Sequence, residues 1–325
     1  MKRNDRKALM MVLAALLLMG FTGAYYEEAA PSVMPQKIGQ MGDIRLFSGS
    51  IPWTASPVPF DRESLLQGGL MCIGTASPIP GDMPAQQVHN VRKMVGLYVP
   101  AAPQVALSEE TIYALCDLCA ENPLVHTWIT DGARAPGEQY RLQNDAYETY
   151  RLLMPTAQAL AKARIDVPDS GCSEHQLATA FDVQFSGTLE WASPDPLHRS
   201  VDGRWLHENA WRFGFIRRYP PEKVYITGVE NEALHFRYVG RVHAAAMQTM
   251  NWCLEEYLAF LQTQKLLLIT WGDVQYGVFS AEMDAQGAVF SLPAGDVLQI
   301  SADGLGYAVC VVRLDQPAFE ISSDS

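Results

Sequence analysis

The chain has 325 residues, of which 48% are hydrophobic, 10% aromatic and 18% charged. This is the composition of a globular protein with enough apolar side chains for a substantial core. The 24 basic and 36 acidic residues give a formal net charge of -12, with no Lys/Arg run beyond the first few residues. We therefore expect no nucleic-acid partner, because nucleic acids bind basic surfaces.

The first 24 residues have the pattern of an export signal. A basic start is followed by an uninterrupted apolar run over residues 8–24, and the basic residues are Lys2, Arg3, Arg6 and Lys7. An apolar run of about 17 residues is typical of a secretory signal and lies at the short limit for spanning a bilayer. We predict that residues 1–24 are either a cleaved signal peptide or an N-terminal membrane anchor. In both cases the rest of the chain would be extracytoplasmic, either secreted or anchored on the outer face of the cell membrane, because the positive end stays inside.

Six cysteines follow, an even number that permits disulfides in an exported protein. Their spacing is not that of a dense disulfide framework. Cys116 and Cys119 fall in the middle of a predicted helix, whereas a thioredoxin-type pair lies at a helix start and a zinc site needs two more ligands nearby. We interpret this pair as core residues.

The predicted elements divide the rest of the chain into three parts. Residues 25–42 are polar and contain Pro and Gly, which predicts a linker. In residues 43–264, short strands and loops come first, and the later elements are helices at 108–121, 137–164, 203–213 and 243–264 and strands at 125–129, 180–185, 224–227 and 234–239. Because helices and strands are interspersed without regular βαβ spacing, we expect an α+β fold. Residues 265–325 alternate with period two, which predicts a small C-terminal all-β appendage.

Two of the seven histidines lie near carboxylates in the sequence. His175 precedes the strand AFDVQF, on which Asp182 lies opposite an apolar face, and His235 follows Glu232 by three residues. Two imidazoles and one carboxylate form the three-ligand set of a catalytic zinc, and a further carboxylate beside the metal serves as general base. From spacing alone, the alternative is a surface His-Asp pair and an unrelated histidine at a strand end.

Three longer patterns surround these residues. The first, Ser-x-His-x-x-Gly-x-Ala-x-Asp, is matched by Ser173, His175, Ala180 and Asp182. The second, Glu-Pro-Trp-His-x-Arg-Tyr-Val-Gly, is matched by Glu232, His235, Arg237, Tyr238, Val239 and Gly240. The third, Ser-Gly-Tyr-Arg-Ser followed by Gln, falls on residues 131–135, with Arg134 and Gln139 in register. In these patterns the sequence resembles, over about residues 70–261, the VanY-type zinc D-alanyl-D-alanine carboxypeptidases, a family of peptidoglycan metallopeptidases.

The resemblance implies a role for each matched residue. His175, Asp182 and His235 would bind Zn2+, and Glu232 would be the general base on zinc-bound water. Arg134 would stabilise the oxyanion or bind the substrate, with Gln139 and Ser173 as further substrate-binding residues. Ser173 could instead be only a helix N-cap. The implied fold is a central antiparallel sheet flanked by helices, as in hedgehog and D,D-peptidase folds.

The sequence departs from the family patterns at three places. Ala178 replaces a glycine, Ala133 replaces a tyrosine, and Ala233 and Leu234 replace Pro-Trp. None of these positions belongs to the implied ligand set, so the departures bear on the pocket walls and on substrate preference.

The sequence thus predicts an extracytoplasmic zinc peptidase that hydrolyses the terminal D-Ala-D-Ala bond of peptidoglycan stem peptides. The alternatives are a D,D-dipeptidase, an endopeptidase of peptidoglycan, or a non-catalytic wall-binding pseudoenzyme. Because every implied ligand precedes residue 265, we also expect a chain without residues 266–325 to retain zinc binding.

Overall fold

The computed structural model describes residues 35–49, 53–186, 195–230, 232 and 234–319. In this part of the chain, helices pack against two main antiparallel sheets, one of four strands and one of six. The predicted mixture of helices and antiparallel strands is confirmed. The predicted signal or anchor, residues 1–24, lies outside the described residues, as does the predicted linker up to residue 34.

The described helices are mostly short. They are α1 (Arg62–Leu66), α2 (Val91–Val95), α3 (Glu109–Glu121), α4 (Pro136–Tyr150), α5 (Thr156–Asp166), α6 (Val201–Asn209), α7 (Val224–Thr227), α8 (Arg241–Met250) and α9 (Leu254–Gln264). Helix α3 begins where the sequence predicts, because the Ser108 side chain accepts a hydrogen bond from the Thr111 amide at 3.3 Å. Within the described residues, none of the helices combines the length and the apolarity that crossing a bilayer requires.

The four-stranded sheet forms the centre of the region around the histidines. Its strands, in spatial order, are β6 (Thr127–Asp131), β7 (Ala180–Phe185), β9 (His235–Tyr238) and β8 (Phe215–Arg217). All three strand pairs are antiparallel. Phe181 and Val183 of β7 are buried in an apolar cluster to which helix α3 contributes, so the opposite face of β7 is left for polar residues.

The six-stranded sheet joins the two ends of the described chain. Its strands, in spatial order, are β1 (Gln36–Met41), β2 (Ile44–Ser48), β10 (Leu266–Trp271), β11 (Val274–Glu282), β14 (Tyr307–Leu314) and β13 (Gly295–Ala302). Two further strand pairs complete the described strands: β4 (His89–Asn90) with β5 (Ala106–Leu107), and β3 (Ser56–Asp61) with β12 (Gly287–Leu292). Residues 265–325 therefore do not stand apart as an appendage, since β10 pairs with β2 and β12 pairs with β3. Strand β1 also lies within the predicted linker.

Two predictions of local structure are wrong. The predicted strand at 224–227 is the one-turn helix α7, which ends at Gly228 in the left-handed region (φ 69°). Short apolar runs of this kind do not distinguish a strand from a helical turn. The predicted helix at 243–264 is two helices, because Asn251 adopts a left-handed conformation (φ 52°) and Cys253 with Glu256 forms a capping box that starts α9.

Candidate metal and catalytic site

Three elements bring His175, Asp182 and His235 together. His175 lies in a 3-10 turn, Glu174–Leu177, that leads into β7, which carries Asp182. His235 begins β9, and the register of the β7–β9 pair places it directly opposite Asp182. Cross-strand neighbours in an antiparallel pair have their side chains close together, so the pairing itself forms the centre of the cluster.

The ligand atoms of this cluster face one another. Each of the three residues offers one such atom, and all three atoms lie within 4.8 Å of one another. His175 Nε2 is 3.3 Å from Asp182 Oδ2, and His235 Nδ1 is 2.8 Å from Asp182 Oδ1. The two imidazoles thus present different ring nitrogens to the same carboxylate.

The loop after β6 holds the ring of His175. His175 Nδ1 is 2.6 Å from the carbonyl oxygen of Gly132, and the backbone carbonyl of His175 accepts a hydrogen bond from the Arg134 amide at 3.0 Å. A carbonyl on Nδ1 leaves Nε2 free as the ligand nitrogen, which is the usual arrangement around a metal-bound histidine. Gly132 is required in this loop, since a Cβ there would lie 2.6 Å from the carbonyl oxygen of Ala106.

The cluster fits a zinc ion by its donor set and by its unpaired atoms. Two imidazole nitrogens and one carboxylate are the protein ligands of catalytic zinc sites, which leave a further position open. His235 is 4% exposed, and among the described residues its Nε2 is buried without a hydrogen-bond partner. When Nδ1 of a neutral imidazole binds a metal, the one ring proton is on Nε2, so this buried nitrogen becomes a hydrogen-bond donor.

The environment of the cluster shifts the pKa values of two of the three proposed ligands, Asp182 and His235. Burial raises the pKa of Asp182, but the hydrogen bonds to His175 and His235 outweigh burial and hold the pKa well below its usual range. Burial lowers the pKa of His235, but the neighbouring carboxylates of Asp182 and Glu174 outweigh it and raise the pKa to about 9. The metal-free cluster therefore keeps its carboxylate charged and holds a proton on His235.

Glu232 lies next to this cluster on the segment that leads into β9. Its backbone carbonyl accepts a hydrogen bond from the His235 amide at 3.2 Å. Burial raises the pKa of its carboxyl, and the charges of His235, Asp182, His175 and Arg134 all act on it. A carboxylate with a raised pKa is better matched to a proton-transfer role near neutral pH than an ordinary glutamate.

Arg134 is held beside the cluster by Asp131 and Gln139. Its Nε and Nη2 donate to Asp131 Oδ2, the former at 2.9 Å, and its Nη1 donates to Gln139 Oε1 at 3.1 Å. The guanidinium also lies 3.8 Å from Asp182 Oδ2. Gln139 is fully buried and donates to the Pro168 carbonyl at 2.7 Å, so in this structure it positions the arginine.

The remaining predicted site positions are placed as follows. Ser173 precedes the 3-10 turn and is buried, but its side chain makes no capping hydrogen bond. Ala178, at the glycine position of the family pattern, adopts a left-handed conformation (φ 58°) that glycine adopts without strain. Leu234 packs against the apolar cluster beneath the four-stranded sheet. Ala233 lies outside the described residues.

Several residues of the site were not predicted from the sequence. Asp131 contacts Arg134, Glu174 lies 3.4 Å from His235 Nε2, and the ring of Tyr219 stacks on the His235 ring at 5.4 Å between centroids. Each occupies a position beside a recognised motif. An acidic residue directly before a ligand histidine, or directly before the loop Gly132–Arg134, is the signal that could have indicated Glu174 and Asp131.

Comparison with known proteins identifies the relatives of this site. Residues 114–241 match the family model described as VanY, D-alanyl-D-alanine carboxypeptidase. A curated D-alanyl-D-alanine carboxypeptidase from Enterococcus faecalis is 41% identical over 137 residues, which are 41% of this chain and 48% of that protein. Residues 114–241 are thus similar to the VanY family. The chain spans about half to two thirds of the length of the curated VanY relatives.

Solved structures extend the comparison with the VanY family. A mutant of the vancomycin resistance D,D-pentapeptidase VanY from a VanB-type resistance cassette, in complex with Zn(II), is 32% identical; the match covers 58% of this chain and 98% of that one, with a TM-score of 0.47. The vancomycin resistance D,D-dipeptidase VanXYg, in complex with a D-Ala-D-Ala phosphinate analogue, is 19% identical, and the match covers 80% of this chain and 99% of that one. Its TM-score of 0.64 shows that the two proteins share a fold.

Proposed function

We propose that this protein is a zinc-dependent D,D-carboxypeptidase that removes the terminal D-alanine from peptidoglycan stem peptides ending in D-Ala-D-Ala. The observation that carries the proposal is the convergence of His175, Asp182 and His235, with ligand atoms within 4.8 Å of one another. Glu232 and Arg134 adjoin the same cluster, so the proposed ligands, the proposed base and a fixed cation lie close together.

In the proposed site, His175 Nε2, Asp182 and His235 Nδ1 hold the zinc. When bound, zinc polarises the scissile carbonyl and lowers the pKa of a water molecule toward about 7. These three ligands have no redundancy, and the open position beyond them is the place for the substrate.

Glu232 is the proposed general base. It takes a proton from the attacking water and delivers it to the leaving amine of the terminal residue. Its half-buried position, which raises the pKa of the carboxyl, keeps it able to hold that proton between the two transfers.

Arg134 is the proposed electrophilic group. Asp131 and Gln139 fix the guanidinium before substrate arrives, so it stabilises developing negative charge, or binds the substrate carboxylate, without reorganisation. Ser173 and Gln139 complete the proposed substrate-binding set, the latter by holding Arg134.

The finer organisation is also proposed. Peptidoglycan stem peptides are the partner, and the chain acts outside the cytoplasm, with residues 1–24 as its signal peptide or membrane anchor. Residues 43–264 carry the hedgehog-like and D,D-peptidase-like catalytic region, and residues 265–325 support it without supplying a ligand.

Hydrolysis of defined peptides tests the proposal. We expect the protein to release one D-alanine from a stem pentapeptide ending in D-Ala-D-Ala, and His235→Ala, which removes a ligand, to be inactive. Preferred cleavage of the free dipeptide would instead identify a D,D-dipeptidase, and cleavage of cross-linked muropeptides an endopeptidase. Zinc binding without hydrolysis of any of the three would identify a wall-binding pseudoenzyme and overturn the proposal.

A further inference from the structure

Glu174 is a fully buried carboxylate whose two oxygens have different neighbours. Its Oε1 accepts a hydrogen bond from Arg218 Nε at 2.7 Å and forms an ion pair with Arg237 Nη1 at 3.0 Å. Its Oε2 faces His235 Nε2 at 3.4 Å. The side chains of Glu174, Arg218 and Arg237 are each exposed by 1% or less.

The facing atoms, Glu174 Oε2 and His235 Nε2, are both left unpaired among the described residues. Neither atom makes a hydrogen bond there, although both are buried. The opposite ring nitrogen, Nδ1, is 2.8 Å from Asp182 Oδ1 and is the ligand atom toward the cluster. A metal bound to Nδ1 requires the ring proton on Nε2. The Nε2–H group would then donate a hydrogen bond to Glu174 Oε2, which gives both buried atoms a partner.

The surroundings of Glu174 prevent it from turning away. Arg218 is itself held by both oxygens of Glu255, at 3.0 and 2.7 Å, and its guanidinium lies 4.5 Å from the centre of the Tyr219 ring. The same ring stacks on His235. Glu174 is thus clamped at one oxygen, while Tyr219 fixes the plane of the imidazole that the other oxygen faces.

We propose that Glu174 is a positioning residue for the metal site. Its Oε2 accepts a hydrogen bond from the Nε2–H group of His235 and thereby directs Nδ1 of this histidine to the metal. The inference rests on the metal site of the proposed function. Carboxylates that accept a proton from a metal-bound histidine fix the orientation of its ring and raise its affinity for metal.

A purely structural role makes a different prediction. If Glu174 only neutralised buried arginines, Glu255 would be its equivalent, because both carboxylates bind Arg218. In Glu174→Gln, the amide can present its oxygen to the arginines or to His235 but not to both. The NH2 group of the amide then faces an N–H donor on the other side, where no hydrogen bond can form. Glu255→Gln disturbs the same arginine and leaves the carboxylate beside His235 in place.

Zinc affinity measured by chelator competition, which does not depend on turnover, separates the two roles. We expect Glu174→Gln to raise the zinc dissociation constant by about 10-fold to 100-fold. Glu255→Gln should keep the zinc affinity of the unaltered protein, although both variants lower the melting temperature of the metal-free protein. Equal zinc affinities in both variants would overturn the inference. Zinc binding by the unaltered protein without hydrolysis would contradict the proposed activity and leave this comparison of zinc affinities valid.

A second measurement needs no variant and so does not depend on whether Glu174→Gln folds. In the zinc-loaded protein labelled with 15N-histidine, we expect the ring proton of His235 on Nε2 and protected from solvent exchange. A proton on Nδ1, or rapid exchange of an Nε2 proton, would also overturn the inference.

Discussion

At the scale of single residues, Glu232 is the position that separates chemistry from metal binding. Glu232→Gln keeps the size of the side chain and removes the base. We expect zinc content to be unchanged, because the ligand atoms come from His175, Asp182 and His235. The rate constant kcat should fall by on the order of 10² to 10⁴, the usual contribution of a general base. Metal analysis and steady-state kinetics on the same preparation measure both quantities.

Arg134→Ala is the matched control for that variant. It should also keep zinc and lose about 10² to 10³ in kcat, as when an oxyanion donor is removed.

Because burial raises the pKa of Glu232, the acidic limb of the rate profile should lie above the usual range of a glutamate. This limb should persist in Arg134→Ala and vanish in Glu232→Gln. Loss of zinc from Glu232→Gln would show that Glu232 is a ligand, and a near-normal rate would place the base elsewhere.

The proton on His235 makes zinc binding depend on pH. Its pKa is raised from 6.5 to about 9, so the protonated ring stabilises the metal-free fold fully below pH 6.5 and this contribution is lost as the pH rises through about 9. Zinc needs the deprotonated ligand nitrogen and must displace this proton. We therefore expect zinc affinity, measured by chelator competition, to increase from pH 6.5 to about 9. An affinity that is flat over this interval would contradict the assignment of His235 as a ligand.

The residues of the cluster could be predicted from sequence, but the residues that hold them could not. His175, Asp182, Glu232 and His235 stand in short patterns whose spacing is visible in the chain. Glu174 contacts Arg218, 44 residues away, and a pairing of this kind follows only from the packing of a 3-10 turn against the strand at Phe215–Arg217. Charged residues are common enough that sequence alone gives no reason to pair these two.

At the scale of elements, the six-stranded sheet supports the site from a distance. Strand β13 supplies Ser301, whose hydroxyl accepts from the Leu70 amide at 2.9 Å, and Gln299, which donates to the Val239 carbonyl at 3.0 Å. The carbonyls of Gly69 and Met71, in the same segment as Leu70, accept from Arg237 Nη2. The C-terminal strands therefore hold the segment that holds Arg237, which in turn pairs with Glu174.

This support changes the expected result of truncation. Removal of residues 266–325 would leave β2 without its partner β10 and expose the apolar cluster that α8 and α9 share with the sheet. We expect the truncated chain to be insoluble or unfolded and to bind no zinc, contrary to the expectation from sequence. A shorter deletion of residues 320–325 keeps every described strand and is the control. A folded, zinc-binding chain ending at residue 265 would restore the view of an independent appendage.

The strands of this sheet could be predicted, but their partners could not. The alternating pattern from residue 266 onward predicts a run of strands, and the structure has β10, β11, β12, β13 and β14 in this stretch. Pairing β10 with β2 joins residues more than 200 positions apart, and β1 lies in a stretch whose polar, irregular composition favours a linker. The break between α8 and α9 was missed for a related reason, since the apolar pattern continues across Asn251 while the backbone does not.

At the scale of the whole molecule, the proposed substrate determines where the protein must act. Peptidoglycan stem peptides in the wall are outside the cytoplasm, and the basic start and apolar run of residues 1–24 are typical of an export signal. We expect protease added to intact cells to degrade the protein, or the protein to be recovered from the medium. Full protection in intact cells, with degradation after lysis, would contradict the extracytoplasmic location.

The central claim is that hydrolysis depends on one metal ion held by His175, Asp182 and His235. The most direct measurement is a titration of metal-free protein with zinc while the release of D-alanine from a D-Ala-D-Ala pentapeptide is followed. The account predicts no release without metal, and a rate that rises linearly and levels off at about one zinc per chain, as a single three-ligand site requires. Full activity in the metal-free protein, or zinc binding at this ratio in His235→Ala, would contradict it.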